Sequence, residues 1–174
     1  NIGNIKNLKI CNFKNSLLKK NPNGYEFDNI ITNGGETYHD VEFIKNTFSF
    51  TEQYKNNKFT STLTFSIPLS QYKYIFHYNL IEFKKNRYTV TFRTDNGNVF
   101  AAGFEYGFFP SYSIQTSEEV NTLNTIAITL KHEGGMPLYM SRKNDENIYQ
   151  IDERISFVPV KNITKPDGYI TDTE

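Results

Sequence analysis

A mainly β (α+β) fold is predicted by the sequence: an antiparallel β-sandwich or partly closed barrel with one amphipathic helix. Three observations predict it. Residues 59–67, FTSTLTFSI, alternate apolar with hydroxyl side chains, the period of a strand with one buried face. Aromatic residues make up 16% of the chain, 15 Phe and 12 Tyr without Trp, among many Thr and Asn, a usage that favours strands and turns over helices. Arg87 to Phe109, RYTVTFRTDNGNVFAAGFEYGFF, reads as a hairpin, with Tyr88, Val90 and Phe92 alternating with Thr89, Thr91 and Arg93. Asn96-Gly97 tolerates the positive φ of a tight type I′ turn. That turn pairs Asp95 with Asn98, Arg93 with Phe100, Phe92 with Ala101, Val90 with Gly103 and Thr89 with Phe104, large side chains facing small ones.

The other elements follow in order. Asn4 to Phe13 has strand propensity, and the polar, basic Ser16 to Asn23 leads into the Asn21-Pro22-Asn23-Gly24 turn. Tyr25 to Ile31 is a strand closed by Asn33-Gly34-Gly35. Val41 to Phe50 is another, irregular near Lys45, and Gln53 to Lys58 is a polar connection. Pro68 stops the 59–67 strand. Tyr72, Ile75, Phe76, Asn79, Leu80 and Phe83 then recur at helical spacing, so the helix runs from Ser70, its N-cap, to Lys85. Ser111 to Gln115 and Ile126 to Leu130 are strands around a polar loop, Thr116 to Asn124. Leu138 to Arg142 and Ile155 to Val160 are weaker strands flanking a charged loop, Lys143 to Glu153. Residues 1–161 form one β-rich domain and 162–174 a polar C-terminal tail.

The 174 residues suffice for one sizeable core, since a domain of this length removes roughly 70% of its unfolded-chain surface from water. Equal numbers of basic and acidic residues (19 of each) argue against the basic excess that nucleic-acid binding needs. Local basic clusters remain at Lys14, Lys19 and Lys20, and at Lys84, Lys85 and Arg87. A single cysteine, Cys11, excludes an intrachain disulfide and reads as an apolar residue of the first strand. No apolar run approaches the roughly 20 residues of a membrane helix, and NIGNIKNLKI carries no signal-peptide apolar core.

Chemistry-bearing patterns are few. His39, Asp40 and Glu42 could ligate a metal, but a strand splays His39 and Asp40 to opposite faces, and ordinary strand-edge polarity explains them better. His77 falls on the expected helix. His132-Glu133 lacks the second His of the zinc motif. Asp95 to Asn98 lacks the acids of a calcium loop. Asn162-Ile163-Thr164 is a glycosylation triplet that matters only in a eukaryotic secretory context. The aromatics from Phe104 to Phe109 could stack on a sugar or a partner chain, but strand-end core with bending glycines is the favoured reading. No catalytic, cofactor-binding or metal-ligating residue is assigned.

From Pro68 to Glu133, the order of features resembles small structural proteins of Bacteroidota tailed phages, crAss-like phages and related prophages. The matching features begin with the strand Phe59 to Ile67 and the helix from Ser70. Tyr88 to Phe92, Asp95-Asn96-Gly97 and Gly103-Phe104-Glu105-Tyr106-Gly107 follow, then Asn124 to Leu130 before Glu133. The resemblance implies a virion component of a tail, neck or ring, on a tail-tube-like domain. Its implied partners are identical copies in a ring and other virion structural proteins. It implies no catalysis or cofactor, and neither composition nor resemblance points to nucleic-acid sequence recognition or a membrane span. The rival expectation is a secreted or surface β-sandwich that binds glycan or protein.

Overall fold

The 59–67 alternation is one of the two inner strands of the smaller of two sheets. The computed structural model describes residues 5–22, 24–33, 38–71, 80–119, 124–141 and 148–152. The strands are β1 (Ile5–Asn12), β2 (Ser16–Lys20), β3 (Glu26–Thr32), β4 (His39–Asp40), β5 (Ser49–Lys55) and β6 (Lys58–Pro68), then, after α1 (Leu80–Lys85), β7 (Tyr88–Thr94), β8 (Val99–Ala102), β9 (Phe109–Gln115), β10 (Thr125–Gly134), β11 (Tyr139–Ser141) and β12 (Tyr149–Ile151). Four strands, β5-β6-β10-β9, make one antiparallel sheet; eight make the other, in the order β12-β3-β11-β8-β7-β1-β4 with β2 also on β3. The larger sheet curls into a half-barrel, so the fold is a mainly β two-layer domain between sandwich and partly closed barrel. Its pairings are antiparallel except for β3 with β11 and with β12.

Burial follows the period. On β6, Leu63, Phe65 and Ile67 point inward, and on β10 so do Ile126, Ile128 and Leu130. They pack between the sheets on Leu8 and Ile10 of β1 and Val90 and Phe92 of β7. Phe92 sits at the centre, 5.4 Å from both Phe48 and Phe50 and 5.5 Å from Phe100. A second core fills the concave side of the half-barrel with Leu18, Phe27, Ile30, Val99, Ala101, Tyr139 and Ile148. Between them stands β7, where Tyr88, Val90 and Phe92 serve the first core and Thr89 and Thr91 are buried on the other face.

The hairpin is present, but its register differs from expectation by one residue. Arg93 faces Val99, Phe92 faces Phe100, Thr91 faces Ala101 and Val90 faces Ala102. The Gly97 amide donates to Thr94 O (2.9 Å), as the Thr94 amide does to Asn98 O (2.9 Å). Only Gly97 has positive φ (+85°) in this turn. That is a three-residue loop in which Asp95 and Asn96 are the turn and Gly97 supplies the left-handed bulge. The two-residue turn with positive φ lies instead at Asn56-Asn57 (55° and 62°), joining β5 to β6 inside the expected polar connection.

Other expectations shift as well. Ser16 to Asn23 is not simply a polar lead-in, because Ser16–Lys20 is β2, which buries Ser16 and Leu18 against β3. Val41 to Phe50 is no continuous strand: Val41 to Ile44 is irregular, Asn46 turns the chain at φ 67°, and β5 starts at Ser49. The expected loop Lys143 to Glu153 contains β12. Of the expected helix, Leu80–Lys85 is helical with Phe83 fully buried, and Ser70 lies in a 3-10 turn, Leu69–Gln71. Tyr72, Ile75, Phe76, His77 and Asn79 lie outside the described residues, as do Ile155 to Val160, the 162–174 tail and the Asn162 triplet.

Candidate functional site

The concave face of the half-barrel is unusually polar for a core. Ser16 Oγ and Thr89 Oγ1 share a hydrogen bond of 2.8 Å, Tyr38 Oη lies 2.6 Å from the same Thr89 oxygen, and Tyr149 Oη bonds Thr91 Oγ1. Because a buried hydroxyl without a partner is costly, these bonds set the rotamers of both tyrosines, whose rings meet at 5.2 Å. Burial, then the neighbouring Cys11, pushes the Tyr38 hydroxyl well above its usual pKa, so it stays a neutral hydrogen-bonding group.

This hydroxyl row opens into a cleft of about 120 Å³ lined by Asn7, Lys9, Thr91, Phe92, Arg93, Val99, Ile148 and Tyr149. Its lip is shaped by a β-bulge. Lys6 faces Arg93 and Lys9 faces Thr91, so Asn7 and Leu8 together oppose Phe92. Asn7 takes φ 53° there, a conformation asparagine tolerates better than most residues. The bulge turns Leu8 into the first core and leaves Asn7 at the surface. Lys9 Nζ sits 3.3 Å from Asp40 and 5.4 Å from the centre of the Tyr149 ring, and Lys6 pairs with Asp95 at 3.0 Å. Among the described residues no carboxylate pairs with Arg93.

At the other end of the half-barrel, Gly103 to Gly107 forms a tight turn closed by the Gly107 amide on Gly103 O (2.9 Å), with φ of 89° and 82° at its two glycines. Phe108 and Phe109 after it are buried, and Phe104 packs on the second core, so these aromatics serve packing. The turn also places Glu105, whose Oε2 accepts the Met136 amide at 2.7 Å. Beside it His132 lies on the inner face of β10, 2% exposed, and its Nε2 has no hydrogen-bond partner among the described residues. Burial lowers its pKa to about 4, partly offset by the Glu105 charge.

The residues singled out from sequence are not brought together. His39 and Asp40 form the short edge strand β4, where Asp40 serves Lys9. Among the described residues no three His, Cys, Asp or Glu side chains are grouped to hold a metal ion. Arg87 is buried with its guanidinium 5.2 Å from the Phe109 ring, so it belongs to no surface basic cluster. Among the described residues no helix is long and apolar enough to cross a membrane. The cleft was missed from sequence because it joins residues 7, 9, 91–93, 99 and 148–149; only the hydroxyls at Thr89 and Thr91 on one strand face hinted at it.

The smaller sheet leaves two long edges without a further strand partner among the described residues, although α1 lies against β9. These are β5 and β9, each seven residues long. Tyr54 on β5 is 63% exposed and Ile114 on β9 is 41% exposed. These features define the chain as a mainly β two-sheet domain with, among the described residues, two edge strands in the smaller sheet and a small cationic cleft. No family model, curated protein or solved structure matches it.

Proposed function

We propose that this chain is a non-enzymatic structural subunit of a phage tail, neck or ring assembly, packing against identical copies and neighbouring virion proteins. The observation that carries this reading is the pair of sheet edges that no further strand covers among the described residues. Four antiparallel strands put β5 and β9 in opposite directions. A copy added edge to edge in the same orientation therefore sets its β5 antiparallel to β9 of its neighbour. That contact is head-to-tail, the kind that builds rings or filaments. A monomer commonly blunts such edges with short strands, lysines or prolines. Here β5 carries lysine only at Lys55, and proline on β9 is confined to Pro110 near its start. The N-terminal segment is built into the larger sheet as β1 and β2, which leaves the assembly contact to the edges. The phage resemblance of Pro68 to Glu133 supports the same reading.

A surface binding module is the alternative, and one observation favours it. Tyr25, 58% exposed, meets Phe59 at 6.5 Å and Tyr139 at 5.7 Å, with Tyr54 on Phe59 at 4.8 Å, an aromatic surface of the kind that stacks on sugar rings. Native mass spectrometry and sedimentation of wild type and a Tyr54→Lys/Ile114→Lys double variant separate the readings. The assembly reading expects concentration-dependent oligomers in the wild type that the double variant abolishes. A wild type that stays monomeric at millimolar concentration, or oligomers untouched by both lysines, refutes it.

A further inference from the structure

The cleft at the open end of the half-barrel has a chemistry that edge-to-edge assembly does not use. Its walls divide into two kinds. Val99, Ile148 and the Tyr149 ring are apolar or aromatic, while Arg93, Lys9, Asn7 and the Thr91–Tyr149 hydroxyl pair are polar. Charge counting is informative. Lys6 is matched by Asp95 and Lys9 by Asp40. Arg93 has no such match among the described residues, and it faces Lys6 across the β1–β7 ladder. A like charge directly opposite is destabilising in a sheet unless an anion offsets it. Among the described residues the site thus carries about one uncompensated positive charge, on the side chain whose planar fork suits a carboxylate bidentately.

We propose that this cleft binds a carboxylate on a short apolar stem. The head group meets Arg93, with Asn7 and the rim ammonium of Lys9 nearby, and the stem lies along Val99, Ile148 and Tyr149. Such a group is carried by a glutamate or aspartate of a partner chain or by a small free carboxylic acid. Two features favour a carboxylate over a phosphate. One net charge matches a monoanion, and the described lining comes from strand residues of β1, β7, β8 and β12 with Ile148 rather than from the glycine-rich loop or helix start that phosphate cradles usually use. The volume of about 120 Å³ accommodates a group the size of a few water molecules, each occupying about 30 Å³ in the liquid.

The test is a titration of the full chain at low ionic strength, followed by amide NMR shifts, with butyrate, butyramide, inorganic phosphate and an end-blocked Gly-Gly-Glu-Gly-Gly peptide. Saturable shifts at Asn7, Thr91, Arg93 and Val99 are expected with butyrate or the peptide, and none with butyramide. Tighter binding of the peptide assigns the site to a partner side chain; tighter binding of butyrate assigns it to a free acid. Arg93→Gln should weaken binding about tenfold, the scale of one charged hydrogen bond. Lys58→Gln, whose lysine pairs with Glu133 away from the cleft, should leave it unchanged. An amide spectrum with native dispersion shows that the Arg93 variant is folded. Phosphate binding tighter than both carboxylates, butyramide binding as well as butyrate, or no saturable shift with any probe overturns the proposal.

Discussion

Acidification should weaken this fold through one histidine, and the size of the effect follows from its burial. His132 faces Ser61 across the β6–β10 ladder, with the Tyr106 ring at 6.3 Å and the Phe108 ring at 5.7 Å. Its imidazole is held neutral, with the pKa lowered from 6.5 to about 4. In the unfolded chain the same ring takes a proton near pH 6.5. Between those values the unfolded state binds more protons, so stability rises with pH. The contribution is fully present above pH 6.5 and lost as pH falls towards 4. At about 1.36 kcal/mol per pKa unit, the loss is about 1.4 kcal/mol at pH 5.5 and about 2.5 kcal/mol at pH 4.5. Against a total stability of about 5–15 kcal/mol, that shift is easily measured. Urea unfolding of wild type and His132→Leu at pH 7.5, 5.5 and 4.5 isolates it, because carboxylates elsewhere titrate in both proteins. The leucine variant should gain on wild type by these amounts as pH falls. Parallel stability curves, or an NMR titration placing the His132 ring near pH 6.5, would refute the reasoning.

Two further outcomes are expected from urea unfolding at neutral pH. Gly97 and Gly103 both hold positive φ, but a Cβ at Gly97 meets nothing within 4 Å whereas one at Gly103 falls 2.6 Å from the Phe108 ring and 3.0 Å from Tyr88 O. Gly97→Ala should therefore cost about 1 kcal/mol of backbone strain, and Gly103→Ala about 2–4 kcal/mol, as overpacking is added; equal costs would show that the Gly103 turn yields. Thr89→Val keeps the shape of the side chain but leaves the Ser16 and Tyr38 hydroxyls without their common partner, which should cost about 1–3 kcal/mol; a neutral result would mean that the two hydroxyls find other partners.

Strands with a polar outer face were the most legible. The alternation in residues 59–67 and 126–130 gave both the strand and its buried side, because a half-buried antiparallel strand must alternate. β7 kept that alternation on a buried polar face, since Thr89 and Thr91 are hydrogen-bonded inside the half-barrel rather than solvated. Turn chemistry was harder to read. Asp95-Asn96-Gly97 serves a two-residue or a three-residue loop equally well, and the choice moves every partner on β8 by one. The larger register stacks Phe92 on Phe100, a gain that local sequence does not weigh. β2 was hidden because only Ser16 and Leu18 on it face inward, and β5 because nearly all of it is exposed. Beyond the hydroxyls on one face of β7 the cleft could not be read, since the bulge at Asn7 depends on how β1 meets β7.

β7 is a partition wall with a room on each side. Phe92 is the centrepiece of one room and Thr89 the tie beam of the other, and they stand only three residues apart in a single strand. A change that tilts this strand to ease packing on one side must disturb the hydroxyl row on the other. Neither room can be remodelled alone, so variation that preserves the fold should collect at the rims, along β5, β9 and the Asp95–Asn98 loop, and leave Tyr88–Thr94 nearly untouched.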